Sequence, residues 1–165
     1  MTDKTSSSSK DDPRMAATRL AAVQAVYELD MMDVAVDDVL ADFTEDRWRA
    51  ADEDIVDEMA RPRPELLKTL ILGVNERRAD IDAQLIPALT GAHTLNELEA
   101  LLRAILRTAG YELMVRDNVP ARTVISAYMA LGDAFYDDGG QIKLIGGILN
   151  AIARTLRPAE FKAAS

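Results

Sequence analysis

Residues 98–113 read Leu-Glu-Ala-Leu-Leu-Arg-Ala-Ile-Leu-Arg-Thr-Ala-Gly-Tyr-Glu-Leu and carry the strongest structural signal in the chain. The leucines and the isoleucine recur at three- and four-residue steps, which is the spacing of helix faces. They cover more than one face, and a helix that is apolar on several sides is buried on several sides. The stretch therefore predicts a central helix with the other elements packed around it.

Helix signals continue on both sides of this stretch. Thr94-Leu-Asn-Glu97 has the pattern of a capping box at the start of the central helix. Towards the N-terminus, Asp12-Pro13 is typical of an N-cap followed by proline at the first helical position. We expect that first helix to run to about Asp30. Its predicted core face carries Ala16, Leu20, Val23, Tyr27 and Met31.

The remaining helices are predicted between breakers. They are expected at 36–48, from Pro64 to about Leu85, from Ala121 to Tyr136 and from Gln141 to Leu156. Asp137-Asp-Gly-Gly140 is predicted to close the fourth of these, with glycine at the C-cap. Gly146-Gly147 lies inside the last helix, where small residues usually permit close helix packing.

The fold class that follows is all-α with about seven helices, because no window alternates with a period of two. Residues 1–12 are predicted to be a disordered tail, since a segment rich in serine and charge cannot bury enough apolar surface to order itself. Residues 13–165 are predicted to form a single domain.

Charge is unevenly distributed along the chain. The net charge is -9, and an acidic surface repels the phosphates of nucleic acid. Residues 37–58 hold ten acidic residues, whereas residues 92–165 hold eight acidic and eight basic residues. A local basic surface could therefore exist in an acidic protein.

Composition limits the location and the chemistry. The chain has no cysteine, which excludes disulfides, thiolate nucleophiles and cysteine-based zinc sites. No apolar run approaches the roughly 20 residues that a membrane helix needs. We therefore expect a cytoplasmic protein without membrane contact.

Signals for catalysis are weak throughout. His93 is the single histidine, and a lone loop histidine is usually a surface residue. Asp52-Glu-Asp54 lacks the ligand spacing of a calcium loop, and Ser126 has no elbow motif around it. No phosphate-binding glycine loop is present. These observations favour a binding protein over an enzyme and predict no metal and no cofactor.

Several motifs, in order, resemble one bacterial family. The first helix carries Arg19-Leu-Ala-Ala-Val-Gln-Ala-Val-Tyr27, similar to R-x-x-A-x-Q-A-L-Y. Leu72-Gly-Val74 and Ile81-Asp82 match a G-V…I-D segment, and Leu106-Arg-Thr-Ala-Gly-Tyr-Glu-Leu113 matches L-R-x-A-x-Y-E-L. Asn118-Val-Pro120 follows at the expected place. The pattern, from about Arg14 to Phe161, resembles the transcription antitermination factor NusB family.

The resemblance implies an all-helical fold of two packed helical subdomains. It also implies binding of boxA-type single-stranded RNA together with the ribosomal protein NusE, in an antitermination complex on RNA polymerase. It implies no enzymatic activity.

Three departures from the family pattern affect polar positions. The stretch Arg14-Met-Ala-Ala-Thr-Arg19 has only two arginines where the family is arginine-rich. The family's I-N-E is here Ile125-Ser-Ala127, and its F-V-N-G-V-L-D is here Leu144-Ile-Gly-Gly-Ile-Leu-Asn150. The alternative is therefore a divergent paralogue that acts as a protein-interaction module with weak or no RNA binding.

Five residues are candidates for RNA contact under the resemblance, and they are Arg14, Arg19, Gln24, Tyr27 and Lys143. Arginines near a helix N-terminus oppose the macrodipole unless a phosphate is present. Tyr27 also lies on the predicted core face, so packing is its favoured role, although an exposed ring edge could stack on a base.

Four residues of the central helix are candidates for partner contact, and they are Arg103, Arg107, Tyr111 and Glu112. Arg103 and Arg107 share one face, one turn apart, and Glu99 is a simple ion-pair partner for Arg103. A buried, hydrogen-bonded tyrosine would explain Tyr111 without any ligand. Trp48, in the acidic stretch, is a candidate half-exposed anchor.

Overall fold

A computed structural model describes residues 12–46, 61–89 and 94–162 of the chain. Within these residues the elements are helices and turns, without a strand, so the all-α prediction is confirmed. Eight α-helices are present in the described residues: α1 Pro13–Met31, α2 Val36–Ala41, α3 Pro64–Glu76, α4 Arg78–Leu85, α5 Ala100–Val115, α6 Ala121–Phe135, α7 Gly139–Leu156 and α8 Ala159–Lys162. A π-helical segment, Asp42–Asp46, follows α2, and 3-10 turns occupy Ile86–Ala88 and Leu95–Glu97.

The predicted central helix is α5. It packs against α1, α3, α4, α6 and α7. All residues from Ala104 to Leu113 are buried, as a helix surrounded on several sides must be. One continuous cluster of buried apolar side chains joins α1–α4 to α6 and α7 through α5. The division into two subdomains stays a prediction.

The core face of α1 differs from the predicted one. Leu20, Tyr27 and Met31 are exposed, whereas the buried face consists mainly of small residues such as Ala21, Ala22 and Ala25. Small side chains let α1 lie close to α5 and α3, so the bulky stripe is left facing outwards. The hydrophobic periodicity indicated the side of α1 with the larger side chains as the buried face, and that prediction was wrong for Leu20, Tyr27 and Met31.

The helix starts are explained by local chemistry. Asp12 is the N-cap of α1, and its carboxylate accepts a hydrogen bond from the Arg14 amide at 2.9 Å, as predicted. Of the predicted tail, Asp12 is thus the N-cap of α1, and residues 1–11 lie outside the described residues, so the tail stays a prediction. Thr94 donates its amide to Glu97 at 3.2 Å, but this capping box closes a 3-10 turn before α5 begins.

Two helix boundaries correct the sequence prediction. Gly139 and Gly140 do not close α6, which ends at Phe135. They form the first turn of α7, where Asp138 caps the Gly140 amide at 2.9 Å. The helix expected from Pro64 to Leu85 is divided at Arg77, whose φ of -107° and ψ of 20° are not helical. Neither Trp48 nor His93 lies within the described residues.

Glycines mark the closest helix approaches. A Cβ built on Gly73 would lie 2.1 Å from Cζ of Tyr111, so α3 and α5 touch there without room for a side chain. A Cβ on Gly146 would lie 2.9 Å from the Met129 sulfur, which confirms close packing between α7 and α6. Gly147 faces open space, so the packing role belongs to one glycine of that pair.

No helix among those the structure describes is long and apolar enough to cross a bilayer. Across the same residues, no three histidine, aspartate or glutamate side chains come together in a way that could hold a metal ion.

Candidate functional site: the α1 surfaces and the α6 groove

Arg19 is held inside the protein by Glu112. Its Nε and Nη2 donate to the two carboxylate oxygens at 2.9 and 3.1 Å, which is a bidentate pair between α1 and α5. Arg116 donates to the same carboxylate at 2.9 Å, and the Tyr128 hydroxyl also donates to it. The Arg19 guanidinium lies over the Tyr128 ring, 5.8 Å from its centroid. We call these four residues the Glu112 network.

The Glu112 carboxylate is ionised in this setting. Burial alone would raise the pKa of Glu112, but the hydrogen bonds and positive charge of Arg19 outweigh it and the pKa is lowered. Burial, followed by the charge of Glu112, raises the pKa of the Tyr128 phenol well above its ordinary value. The network therefore contains a buried anion, two guanidinium cations and a neutral phenol, tying α1, α5 and α6 together.

The network joins residues from the two predicted sites. Arg19 was a candidate for RNA contact and Glu112 for partner contact, yet each is the other's partner. Arg19 is 5% exposed and Glu112 is 0% exposed. Direct contact of either side chain with another molecule remains a prediction that their exposure does not support.

A second cluster joins the end of α1 to α4 and α5, and we call it the Asp30 cluster. Asp30 accepts from Arg103 at 2.9 Å and from Arg78 at 3.0 Å, and it lies 3.5 Å from Arg107. Arg107 also forms a bidentate pair with Asp82 at 2.9 and 3.1 Å. Burial would raise the pKa of Asp30, but the arginines lower it overall.

The ion-pair partner expected for Arg103 was Glu99, and this is corrected to Asp30. Arg103 also donates to the backbone carbonyls of Asn96 and Leu98, so its guanidinium is fully engaged. Arg107 and Tyr111 are buried, the latter against Gly73. Partner contact by Arg103, Arg107 and Tyr111 likewise remains a prediction, while their observed contacts are internal.

The other RNA candidates are spread over α1 and α7, with Arg14 in the first turn of α1, Gln24 and Tyr27 one turn apart in its second half, and Lys143 in α7. Arg14 donates to the carbonyls of Arg61 at 3.3 Å and Pro62 at 3.5 Å. Gln24 is half-buried, Tyr27 is 39% exposed, and Lys143 is exposed near the start of α7. No hydrogen bond or ion pair joins any two of the five candidates within the described residues.

A groove of about 1340 Å³ lies along the outer side of α6. Its walls come from the start of α1 and from the end of α7 with α8. Arg19 is the one predicted RNA residue among those that line it. Arg122 and Arg154 also line it, and sequence reasoning missed both, because nothing in their local sequence distinguishes them from solubilising arginines.

Arg157 is another residue that the sequence did not reveal. It is 7% exposed, and its guanidinium donates to the carbonyls of Glu112, Leu113, Arg116 and Val119 at the end of α5 and in the following turn. The Glu112 and Arg116 carbonyls also accept from the Arg116 and Val119 amides, so the remote arginine adds to the backbone hydrogen bonds that close the C-terminus of α5. In the sequence, Arg157 is marked only by its position just after a helix and just before Pro158. Many surface arginines occupy such positions, so the pattern did not indicate a buried role.

The family model described as the NusB family matches residues 16–154, which spans α1 through most of α7. The chain belongs to the NusB family. Transcription antitermination protein NusB of Maricaulis maris is 37% identical over 145 residues, covering 88% of this chain and 89% of that protein. Transcription antitermination protein NusB of Caulobacter vibrioides is 36% identical over 152 residues, covering 92% and 99%.

A solved structure of T. maritima NusB has a similar fold. Its TM-score is 0.71 with 23% sequence identity, covering 90% of this chain and 96% of that chain. The NusB family residues quoted above now have places in the fold. The L-R-x-A-x-Y-E-L motif supplies Arg107 and Glu112, which anchor α5 to its neighbours, and R-x-x-A-x-Q-A-L-Y supplies Arg19, which binds Glu112.

Proposed function

We propose that this NusB-family chain is a transcription antitermination factor that binds boxA-type RNA together with NusE, in a complex on RNA polymerase. The observation that carries the proposal is the family match over residues 16–154, with relatives named transcription antitermination protein NusB. The motif residues Arg19 and Glu112 meet in the core, which supports an intact family scaffold.

The proposed protein-binding surface is the exposed apolar stretch formed by the end of α1 and the residues just after it. Tyr27, Met31, Met32 and Val34 are between 38% and 56% exposed, and we call them the α1 stripe. Solvent-exposed large apolar side chains in a group are typical of interaction sites. Asp33, Asp37 and Asp38 are exposed around the same segment. An apolar stripe with an acidic rim fits a basic partner with an apolar face, which is the chemistry expected of a ribosomal protein.

RNA binding by the free protein is expected to be weak. Arg19 is engaged by Glu112, and the net charge of -9 repels phosphate. Arg14, Lys143 and Tyr27 retain some exposure for RNA contact. With few phosphates neutralised, binding should lie near the non-specific range of roughly 10⁻⁴–10⁻⁶ M, and NusE would complete the site.

Co-elution with NusE on a sizing column tests the protein-binding surface. We expect wild type to form a 1:1 complex and Met31→Asp to weaken it at least tenfold, because a charge is forced into an apolar contact. Val115→Asp is the matched control, since Val115 is 40% exposed but lies at the end of α5, outside the stripe. Failure of wild type to bind at tens of micromolar would leave the interaction-module paralogue as the better account.

A further inference from the structure

The last turn of α1 has little support from the apolar core. The buried residues of α1 end at Val26. Among the hydrophobic residues that follow in this helix, Leu29 packs against the core, whereas Tyr27 and Met31 are exposed. A helix end with few buried apolar contacts opens at a low cost in free energy. Apolar burial alone therefore does little to hold the turn that carries this part of the α1 stripe.

The Asp30 carboxylate ties the same turn to two other helices. One of its oxygens accepts from Nε and Nη2 of Arg103 in α5, at 3.1 and 2.9 Å. The other oxygen accepts from Arg78 in α4 at 3.0 Å. The side chains of Asp30 and Arg103 are only 10% and 14% exposed, so water and salt screen this pair weakly. The end of α1 is thus fixed to α4 and α5 by charge.

Aspartate is not favoured at this position by the helix itself. Asp30 lies one residue before the end of α1, where the negative end of the helix macrodipole repels a carboxylate. The last turn of α1 contains no basic residue that would offset this repulsion. The contacts with α4 and α5 explain why a carboxylate is accommodated here.

We propose that Asp30 is a positioning residue for protein binding, because its ion pairs order the last turn of α1 and so present the α1 stripe to the partner. This inference rests on the proposed function, in which the α1 stripe binds NusE. Met31 and Met32 follow Asp30 directly and are 53% and 56% exposed. If this turn opened, NusE would bind only the ordered fraction of the molecules, and the apparent affinity would fall with that fraction.

Hydrogen exchange of the free protein measures the ordering of this turn without a partner. The Met32 amide donates to the Glu28 carbonyl at 2.8 Å and closes the end of α1. Asp30→Asn keeps the shape of the side chain but removes its charge, so this amide should exchange about tenfold faster. The Arg157 amide closes α7 by donating to the Ala153 carbonyl at 2.7 Å, and its exchange should change far less.

Titration with NusE measures the consequence for binding. We expect Asp30→Asn to bind NusE about fivefold more weakly than wild type, because affinity follows the ordered fraction of the turn. Asp82→Asn is the matched control. It removes the other carboxylate of the Asp30 cluster, which pairs with Arg107 at 2.9 and 3.1 Å, and leaves the contacts of Asp30 with Arg103 and Arg78 in place. Urea denaturation should show both variants to be less stable than wild type, while Asp82→Asn keeps the wild-type affinity and the wild-type exchange of the Met32 amide.

The outcomes separate the positioning role from the proposed function. If Met31→Asp weakens NusE binding but Asp30→Asn does not, the positioning role is overturned and the α1 stripe stands. Equal losses of affinity in Asp30→Asn and Asp82→Asn would assign the effect to stability and overturn the role as well. The same holds if the Met32 amide of Asp30→Asn exchanges at the wild-type rate. If wild type binds no NusE, or if Met31→Asp binds it as tightly as wild type, the proposed surface falls and the positioning role falls with it.

Discussion

Glu112 ties α1 to α5 and α6 through its buried carboxylate. Its carboxylate is fully buried and accepts from Arg19, Arg116 and Tyr128. Removing one member of a buried ion pair leaves the other charge uncompensated, which costs about 3–5 kcal/mol. We expect Glu112→Gln to lower the free energy of unfolding by about 3 kcal/mol, measured by urea denaturation.

A matched control separates this effect from loss of charge alone. Asp133→Asn removes an exposed carboxylate from α6 and should change stability by less than about 0.5 kcal/mol. If both variants were equally stable, the Glu112 network would not hold α1 in place.

The buried ion pairs could not be predicted from local spacing. The spacing of four residues suggested Glu99 for Arg103, whereas the actual partner, Asp30, is 73 residues away. Arg19 and Glu112 are 93 residues apart, and each matches a family motif without any sign that they pair. Residue types show that a charge is present, but only the packing of α1 on α5 determines which charge faces it.

Replacing glycine by alanine should have opposite effects on stability at Gly73, where two helices touch, and at Gly147, which faces open space. Gly73→Ala would place a Cβ within 2.1 Å of the Tyr111 ring, and overpacking of this kind costs about 1–3 kcal/mol. Gly147→Ala meets nothing within 4 Å and should stabilise α7 by about 0.5–1 kcal/mol. Thermal and urea unfolding of the two variants should therefore shift in opposite directions. Equal shifts would contradict the close α3–α5 contact.

The approximate number of helices could be predicted from the sequence. The buried face of α1 and the boundary between α6 and α7 could not. The buried side of α1 is made of alanines, which carry little hydrophobic signal, and the bulky residues on its other side suggested the wrong face. Gly139 and Gly140 indicated a helix end because glycine favours C-caps, yet the Asp138 side chain starts a new helix there. Competing cap chemistry decided that boundary.

Stability of the whole molecule should depend on pH at both extremes. The pKa values of Asp30 and Glu112 are lowered from ordinary values of 3.8 and 4.5. The unfolded chain therefore binds more protons in acid, and stability present above about pH 4.5 is lost as pH falls through the folded pKa values. Burial, with a contribution from Glu99, raises the pKa of Tyr136 to about 12 from 10.0. Stability should therefore also fall as pH rises from 10 to 12.

Urea midpoints measured from pH 3 to pH 11 check this profile. We expect a plateau through neutral pH with a decline on each side. In Glu112→Gln the acid decline should be shallower, because one of the responsible carboxylates is gone. A midpoint that rose as pH fell below 4 would contradict the assigned pKa directions.

The candidate binding surfaces emerge only at the scale of the folded chain. The α6 groove takes residues from α1, α6, α7 and α8, which no single sequence window contains. The family resemblance correctly indicated the scaffold, but it directed attention to Arg19, whose guanidinium the fold uses internally. Whether an arginine is ion-paired inside the fold depends on residues far away in the sequence, so it can be established only from the structure.

The most direct test of the account is binding of a fluorescent boxA-type RNA by the wild-type protein with and without NusE. We expect weak binding by the protein alone, in the range of roughly 10⁻⁴–10⁻⁶ M, and at least tenfold tighter binding with NusE. A scrambled RNA of the same length should compete poorly with the mixture. Absence of binding in the NusE mixture, or equal affinity for the scrambled RNA, would contradict the proposal that this chain is an RNA-binding antitermination factor.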